Sequence, residues 1–419
     1  MRVLLLGADY YGTLAATRAY GKVGVFVTVA DEHRRARALF SKHAKQKLVH
    51  PPLSRPSELV DWLVDFGRRN PDTFLYPSGD HFAWLFAAEK RRLSEVFLTY
   101  APSEETIFTL LDKKRLHEAC AAVDIDVPET HALGDAGVAS PIVSKLRYPV
   151  LLKPRTQVFL SSGVKGFIAK DEKELASELG RFKALVTFDP ILTDLHADVA
   201  EPMVQEYLTA AETNIFSVSG FVSDRGAIVA RAAMKVLQRP RKVGIGLCFE
   251  GRAIEETLVE KLHALCEKIG YFGAFESEFI VVGDRRLLID FNPRFYSQMA
   301  FDIARGLPLP MLVLQSAKGA HTEVDALLDR ARAWQPTGSE AYCHKTMLDL
   351  VLTLQGMSGQ MTRDEVRSWR TWHRDRRDAV TDAVRDKGDP MPAVVDAAMW
   401  AQHFAKHPRS FVRSFVLNR

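Results

Sequence analysis

The segment FESEFIVVGDRRLLIDFNPRF, Phe275 to Phe295, holds the residue types best suited to chemistry. Its apolar runs Phe275–Val282 and Arg286–Phe291 flank Gly283, Asp284 and Arg285, a pattern that predicts a β-hairpin with a three-residue loop. In that register Glu278 stands opposite Asp290 on one face. Like charges directly across a strand pair are destabilising. A divalent cation between them removes the conflict, and hard carboxylate oxygens are what Mg2+, or Mn2+ in its place, accepts. Asn292 follows on the same face with a neutral oxygen. Arg294 then sets a fixed cation beside it, where a guanidinium grips a phosphoryl group through two parallel N–H bonds. A solvated hairpin explains one acid and one base. It does not explain two acids, an amide and a guanidinium in matched register among apolar strand residues.

Other stretches add to this set. In YPVLLKP, Lys153 closes an apolar strand, and a buried ammonium needs a partner; a lysine that merely snorkels is the plainer reading. The loop after it, RTQVFLSSGVKGF, carries Ser161, Ser162 and Gly163, whose backbone N–H groups suit phosphates. Val158, Phe159 and Leu160 are bulky for such a loop and read as an apolar lid. The strand Met203–Leu208 offers backbone groups of Glu206, Tyr207 and Leu208, and the amide of Gln205, to an adenine edge. Glu212 beyond it suits ribose hydroxyls, against the plainer reading of a solvated turn acid. Arg231 and Lys235 lie four apart on one strand and so share a face. With Arg239, Arg241 and Lys242 they concentrate positive charge suited to a γ-phosphate or an anionic substrate, although the last three equally fit a solvated basic loop.

The elements that position these residues fall into three regions. Residues 1–102 alternate strand and helix: strands at Val3–Leu6, Val25–Val29 and Thr73–Tyr76, helices near Thr13–Tyr20, Ser57–Arg69 and His81–Leu93. That alternation predicts a parallel sheet covered on both faces. Residues 103–318 begin with a helix capped by Ser103 and become an α+β unit of mostly antiparallel strands with a helix at Glu255–Ile269. Residues 319–419 are helical, polar and rich in arginine, with Thr362–Asp389 reading as a solvated helical face. The terminal HPRSFVRSFVLNR reads as packing against the body in preference to peripheral membrane contact.

Bulk properties set limits. A chain of 419 residues exceeds one ordinary core. A net charge of +4 attracts nucleotides mildly and gives no ground for a nucleic-acid partner. Four cysteines without zinc or disulfide spacing fit a reducing, cytoplasmic setting. No run approaches the roughly 18 apolar residues of a transmembrane segment.

In their order, these elements resemble the ATP-grasp superfamily: Asp112, Lys113 and Lys114 on a helix, a strand ending LLKP, a glycine-bearing loop, VQEYL with Glu212 beyond, then an acid and a D-x-N-P-R run. The resemblance covers residues 1–318, and the nearest groups are the carbamoyl-phosphate-synthetase-like and D-aspartate-ligase-like enzymes. It implies an α/β and α+β architecture: a Rossmann-like pre-ATP-grasp domain, a two-part grasp holding ATP, and a helical C-terminal region. By the same resemblance Lys113 and Lys153 bind ATP phosphates, Gln205 and the backbone after it adenine, and Glu212 ribose. Glu278, Asp290 and Asn292 hold magnesium, and Arg294 the phosphoryl group in transfer. The implied reaction joins a small carboxylate to an amine through an acyl phosphate; an amine on Asp80 and a carboxylate on the basic loop would suit an amino acid, and a homodimer is compatible with it.

Two departures stand out: Asp290 replaces the family's usual Glu, and the phosphate loop is bulky. The acceptor is expected near Gly7–Tyr11, Ser78–His81 and Gln238–Gly246, with Asp80 receiving an amine. Three rivals remain in view. A nicotinamide enzyme is disfavoured because GADYYG lacks the second glycine of G-x-G-x-x-G, although Asp31 sits where a ribose-binding acid would. An ATP-binding scaffold would not need paired carboxylates. A carboxylase, or another acyl-phosphate-forming enzyme without an amine substrate, would use the same residues.

Overall fold

The computed structural model describes residues 1–134, 137–239 and 246–416. Its first unit is a five-stranded, wholly parallel sheet built from β1 (Arg2–Leu6), β2 (Phe26–Asp31), β3 (Ala44–Val49), β4 (Thr73–Leu75) and β5 (Leu98–Thr99), in the order β3-β2-β1-β4-β5. The unbroken apolar run of β1 follows from burial on both faces. Leu4 and Leu6 enter one core with Leu59 and Trp84, while Val3 and Leu5 enter another with Phe74 and Tyr296. Strand β3 escaped the sequence pattern because its polar Lys45, Gln46 and Lys47 mask an edge strand.

A helix at Glu104–Leu111 follows, with Ser103 Oγ accepting the Thr106 N–H as its cap. The helix Lys113–Ala121 starts immediately afterwards, because Asp112 caps it through the N–H groups of Lys114 and Arg115. A small antiparallel sheet, β6 (Thr130–Ala132), β7 (Val150–Lys153), β8 (Phe167–Ala169) and β9 (Met203–Glu206), has the order β6-β9-β7-β8.

The largest sheet carries β10 (Ile215–Val222), β11 (Ile228–Gln238), β12 (Gly246–Arg252), β13 (Gly273–Val282) and β14 (Arg285–Asn292). Two short strands, β15 (Ala341–Cys343) and β16 (Val380–Asp382), extend it beyond β12. These two are absent from the sequence reading, which gave the C-terminal region as helical. Three residues each, set between polar helices, leave no alternation to read.

The helix Arg363–Asp375 has no buried residue and begins with a Thr362–Glu365 capping box, as a solvated face should. Phe411 and Phe415 are buried beside Met347 and Leu352, so the terminal segment packs on the body. All four cysteines are free and buried, and the register of β12 on β15 brings Cys248 Sγ within 3.7 Å of Cys343 Sγ. No helix among the described residues is long and apolar enough to cross a membrane.

Candidate active site

The hairpin β13–β14 supplies the floor of a cavity of about 260 Å³. Its loop has two residues, Gly283 and Asp284, and not three, since Val282 pairs with Arg285. A bulge between the Glu278 and Phe279 pairs then leaves Ile289 unpaired and shifts the register by one. Glu278 still faces Asp290, and Glu276 faces Asn292.

Cations meet the two acids. Lys235, from β11, reaches Glu278 at 2.6 Å, and Lys113, at the start of its helix, reaches Asp290 at 2.5 Å. Burial opposes charge on Lys113 and Asp290 alike, but their attraction prevails: it holds the ammonium above its usual range and the carboxyl below. Lys153 lacks an acid and donates to Gln205 Oε1 at 2.8 Å. Burial, then the charge of Lys113, lowers its pKa to about 7.

Two buried groups bring these lysines together. Arg155 pairs with Asp112 at 2.7 Å, and the Arg155 carbonyl accepts the Lys113 N–H at 2.8 Å. Both arginine contacts tie the chain after Lys153 to the helix that carries Lys113. His117, one turn further along that helix, is pushed down to about 3 by burial and then by Lys153 and Lys113, so it stays neutral beside them.

Glu276, which the sequence reading passed over, is the most enclosed acid of the floor. Ser217 and Gln298 donate to its Oε1 at 2.7 and 2.8 Å, and Asn292 Nδ2 to its Oε2 at 2.6 Å. Burial and the nearby Glu278 push its carboxyl up. The signal for it was available: it precedes Glu278 by two and therefore shares its face.

Arg294 is held from three sides. It donates to Asp80 Oδ1 at 2.6 Å, to Asn292 Oδ1 at 2.6 Å and to the Tyr10 hydroxyl at 2.7 Å. Asp80, expected to receive an amine, is therefore committed to orienting Arg294. The nicotinamide reading also closes here. Asp31 accepts the N–H groups of Asp9 and His33, and Tyr10 lines the cavity with its hydroxyl on Arg294.

Arg231 does not reach the cavity. It shares a sheet face with Lys235 but lies a strand length of about 13 Å away, from the ~3.3 Å rise per residue. There the carbonyls of Arg305 and Ala331 take its N–H groups over the Trp334 ring.

The small sheet faces the floor. Gln205 is fully engaged, donating to Thr130 Oγ1 at 3.0 Å while accepting from Lys153, so it orients the lysine and does not offer its amide to a base. The amides of Glu206 and Tyr207 bond to the Glu129 and Pro149 carbonyls, and Glu206 Oε1 accepts the Glu129 N–H. The Leu208 N–H has no acceptor among the described residues. Glu212 lies half-buried beyond β9.

In the loop after Lys153, Ser161 N–H bonds to the Thr187 carbonyl, Ser162 Oγ is buried without a partner, and Gly163 borders open space. Val158 and Phe159 are no lid. They are buried in the core with Trp84, and Phe159 N–H donates to His81 Nδ1 at 3.0 Å. Ser78 is likewise spent, on the Leu6 carbonyl. Arg239 reaches Gln355; Arg241 and Lys242 lie outside the described residues.

The C-terminal region closes the cavity with Tyr342 and His344, beside Tyr11 and Phe249. His344 Nδ1 accepts the Met347 N–H and caps the helix Lys345–Met357. Behind Tyr11, Arg37 links Asp396 at 2.6 Å to Asp9 at 2.5 Å, which fastens this wall to the first unit.

As a donor set, Glu278 and Asp290 fit a magnesium ion shared with phosphates, which takes one or two carboxylates. Among the described residues no group of three or more His, Cys, Asp or Glu forms an all-protein cage. Asn292 Oδ1 is shared with Arg294, so it joins such a site through that contact. The unpartnered Ser162 hydroxyl and Leu208 amide fit a nucleotide.

This arrangement of a grasping small sheet over a carboxylate-bearing hairpin is the ATP-grasp fold. The chain is similar over 356 residues to the D-aspartate ligase of Enterococcus faecium (strain Aus0004), with 22% identity covering 79% of this chain and 81% of that one. Among solved structures it resembles biotin carboxylase from Campylobacter jejuni, seen with β-γ-ATP (TM-score 0.61, 18% identity, 76% of this chain and 71% of that one). It also resembles L-amino acid ligase from Bacillus licheniformis (TM-score 0.55, 13% identity, 75% and 73%). No family model matches the chain.

Proposed function

We propose that this chain is an ATP-dependent carboxylate–amine ligase acting through an acyl phosphate. The observation that carries the reading is the cavity floor. Two cation-held carboxylates in register and an anchored arginine line one small space, and Lys153, without an ion pair of its own, lies within electrostatic reach of Asp290. Lys113, Lys153 and the Ser161–Gly163 loop bind the phosphates of ATP, the Leu208 N–H its adenine, and Glu212 its ribose. Glu278, Asp290 and Asn292 hold magnesium. That ion, when bound, neutralises charge on the transferring phosphoryl group.

The donor carboxylate oxygen attacks the γ-phosphorus and ADP leaves. The amine then attacks the acyl carbon, phosphate departs, and the amine's proton passes to solvent. Lys235 and Arg294 steady the developing charge by position, the usual source of rate in such transfers. Enclosure by Tyr342 and His344 keeps water from the acyl phosphate.

The similarity to a D-aspartate ligase supports a small acidic amino acid as donor. A cavity of about 260 Å³ admits such a molecule. We assign residues 1–102, 103–318 and 319–419 to the pre-grasp domain, the grasp and the C-terminal region of a cytoplasmic enzyme. The test is magnesium-dependent ADP release across pools of amino acids and amines, with mass spectrometry of responding pools. A condensed product that needs both partners supports the ligase. ADP release with a carboxylate alone would replace it with an acyl-phosphate or carboxylase activity, and no release by any pool would favour a scaffold.

A further inference from the structure

The charged face of the C-terminal region serves none of the groups described above. On the helix Arg363–Asp375, Arg363, Arg367, Arg370 and Arg374 follow one another at three- and four-residue steps and so share a side. They wall a groove of about 570 Å³ whose other side is the helix Lys345–Met357, through Leu352, Gly356 and Met357. A second groove, of about 530 Å³, runs along the other flank of that helix and is lined chiefly by Leu350, Leu354, Trp400, Phe404 and Phe411. Thr353, exposed on the ridge between them, borders both grooves, so they open on one face of the molecule.

Among the described residues the arginine groove is lined by no acid, and Asp349 borders the second groove. Arg363, Arg370, Lys406, Arg409 and Arg413 are exposed and have no acidic partner among the described residues. Arg367 and Arg374 meet only Asp364 and Asp375 on their own helix, in solvent-exposed pairs that hold a side chain weakly. Beside the arginine groove and on the helix Met391–Lys406, whose Phe404 lines the second groove, apolar side chains stand in water: Met357 is 82% exposed, Val394 58% and Phe404 51%. The helix Met391–Lys406 that carries two of them buries only Pro392 and Asp396.

We propose that this face docks on an anionic lipid surface. Headgroup phosphates lie in the arginine groove and along Lys406, Arg409 and Arg413, while Met357, Val394 and Phe404 enter the boundary with the acyl chains. Exposed apolar side chains beside unpaired cations have the complementary chemistry of that boundary. A second copy meeting this face about a two-fold axis would bring the same cations together. A nucleic acid would leave the apolar groove without a partner.

Cosedimentation of the full chain with vesicles tests this. Binding is expected to phosphatidylcholine vesicles containing about a third phosphatidylglycerol, with none to phosphatidylcholine alone and release near ~0.5 M salt. The double variant Arg367→Gln/Arg370→Gln is expected to lower partitioning about 30-fold, and Phe404→Ser several-fold, with melting temperature unchanged in each. Absence of binding to anionic vesicles, or binding indifferent to both variants, overturns the proposal. Inorganic tripolyphosphate binding at the same strength and with the same sensitivity would make the face a small-anion site. Self-association abolished by the arginine variant would make it an interface between copies. Either result likewise overturns the lipid assignment.

Discussion

Two buried charge networks share the large sheet, and they are built differently. Along the far half of β11, Asp302 accepts from Ser219 at 2.6 Å and from Tyr296 at 2.5 Å and pairs with Arg305, whose guanidinium also donates to the Ala232 carbonyl. Arg231 spends its N–H groups on carbonyls nearby. Each charge there meets a fixed protein group. On the hairpin, Glu278 and Asp290 are held by lysines at the edge of a cavity. An ammonium on a flexible stem exchanges one oxygen partner for another without leaving a planar frame of bonds behind. The first network fixes structure, and the second, on the proposed function, leaves room for a substrate anion and its metal.

The sharpest contrast should come from removing one charge in each network. Asp290→Asn, or Lys153→Ala, is expected to cut ATP turnover about 10³-fold while the melting temperature hardly moves; ADP release and a thermal melt report both. Asp302→Ala should do the reverse, losing about 3–5 kcal/mol of stability in urea denaturation because Arg305 is left buried and unpaired. Its turnover per folded molecule should hold.

Acidity sharpens the comparison next. With a pKa near 7, Lys153 is charged below neutrality and loses its proton above it in the free protein, whereas bound phosphates restore the proton. ATP affinity should therefore weaken roughly fivefold from pH 7 to pH 8. Calorimetry in buffers of different ionisation enthalpy should show proton uptake on binding at pH 8, and Lys153→Ala should lose it. The smallest effect is expected at Arg231→Gln, about 1 kcal/mol of stability and less than about a twofold change in kcat/KM. Lys235→Gln, on the same strand face, should cost about 10²-fold. Equal losses from the two would erase the distinction between the networks.

Much of the hairpin was legible because period-two alternation puts charges on a definite face. Its loop was read one residue too long, yet the bulge at Ile289 restored the pairing, and no residue type there announces a bulge. Glu276 was readable by the same alternation and was missed. Arg231 was misplaced because facing the same way says nothing about how far along a strand the cavity extends. The grip of Asp80 and Tyr10 on Arg294 joins positions more than two hundred residues apart, and the wall of Tyr342 and His344 depends on a three-residue strand. Such contacts are set by packing of whole units, which local pattern does not record. The Gln205 amide was expected to face an adenine edge, but Lys153 and Thr130, brought close by the sheet, engage it.

The central claim is that a donor carboxylate is phosphorylated in this cavity. Turnover with a responding amino acid labelled with 18O in its carboxylate, followed by mass spectrometry of the released phosphate, tests it most directly. Transfer of one 18O atom into phosphate for each ADP formed is the expected result, because the carboxylate oxygen that attacks the γ-phosphorus leaves with it. Unlabelled phosphate, formed at the same rate as ADP, would show that water takes the phosphoryl group and would contradict the account.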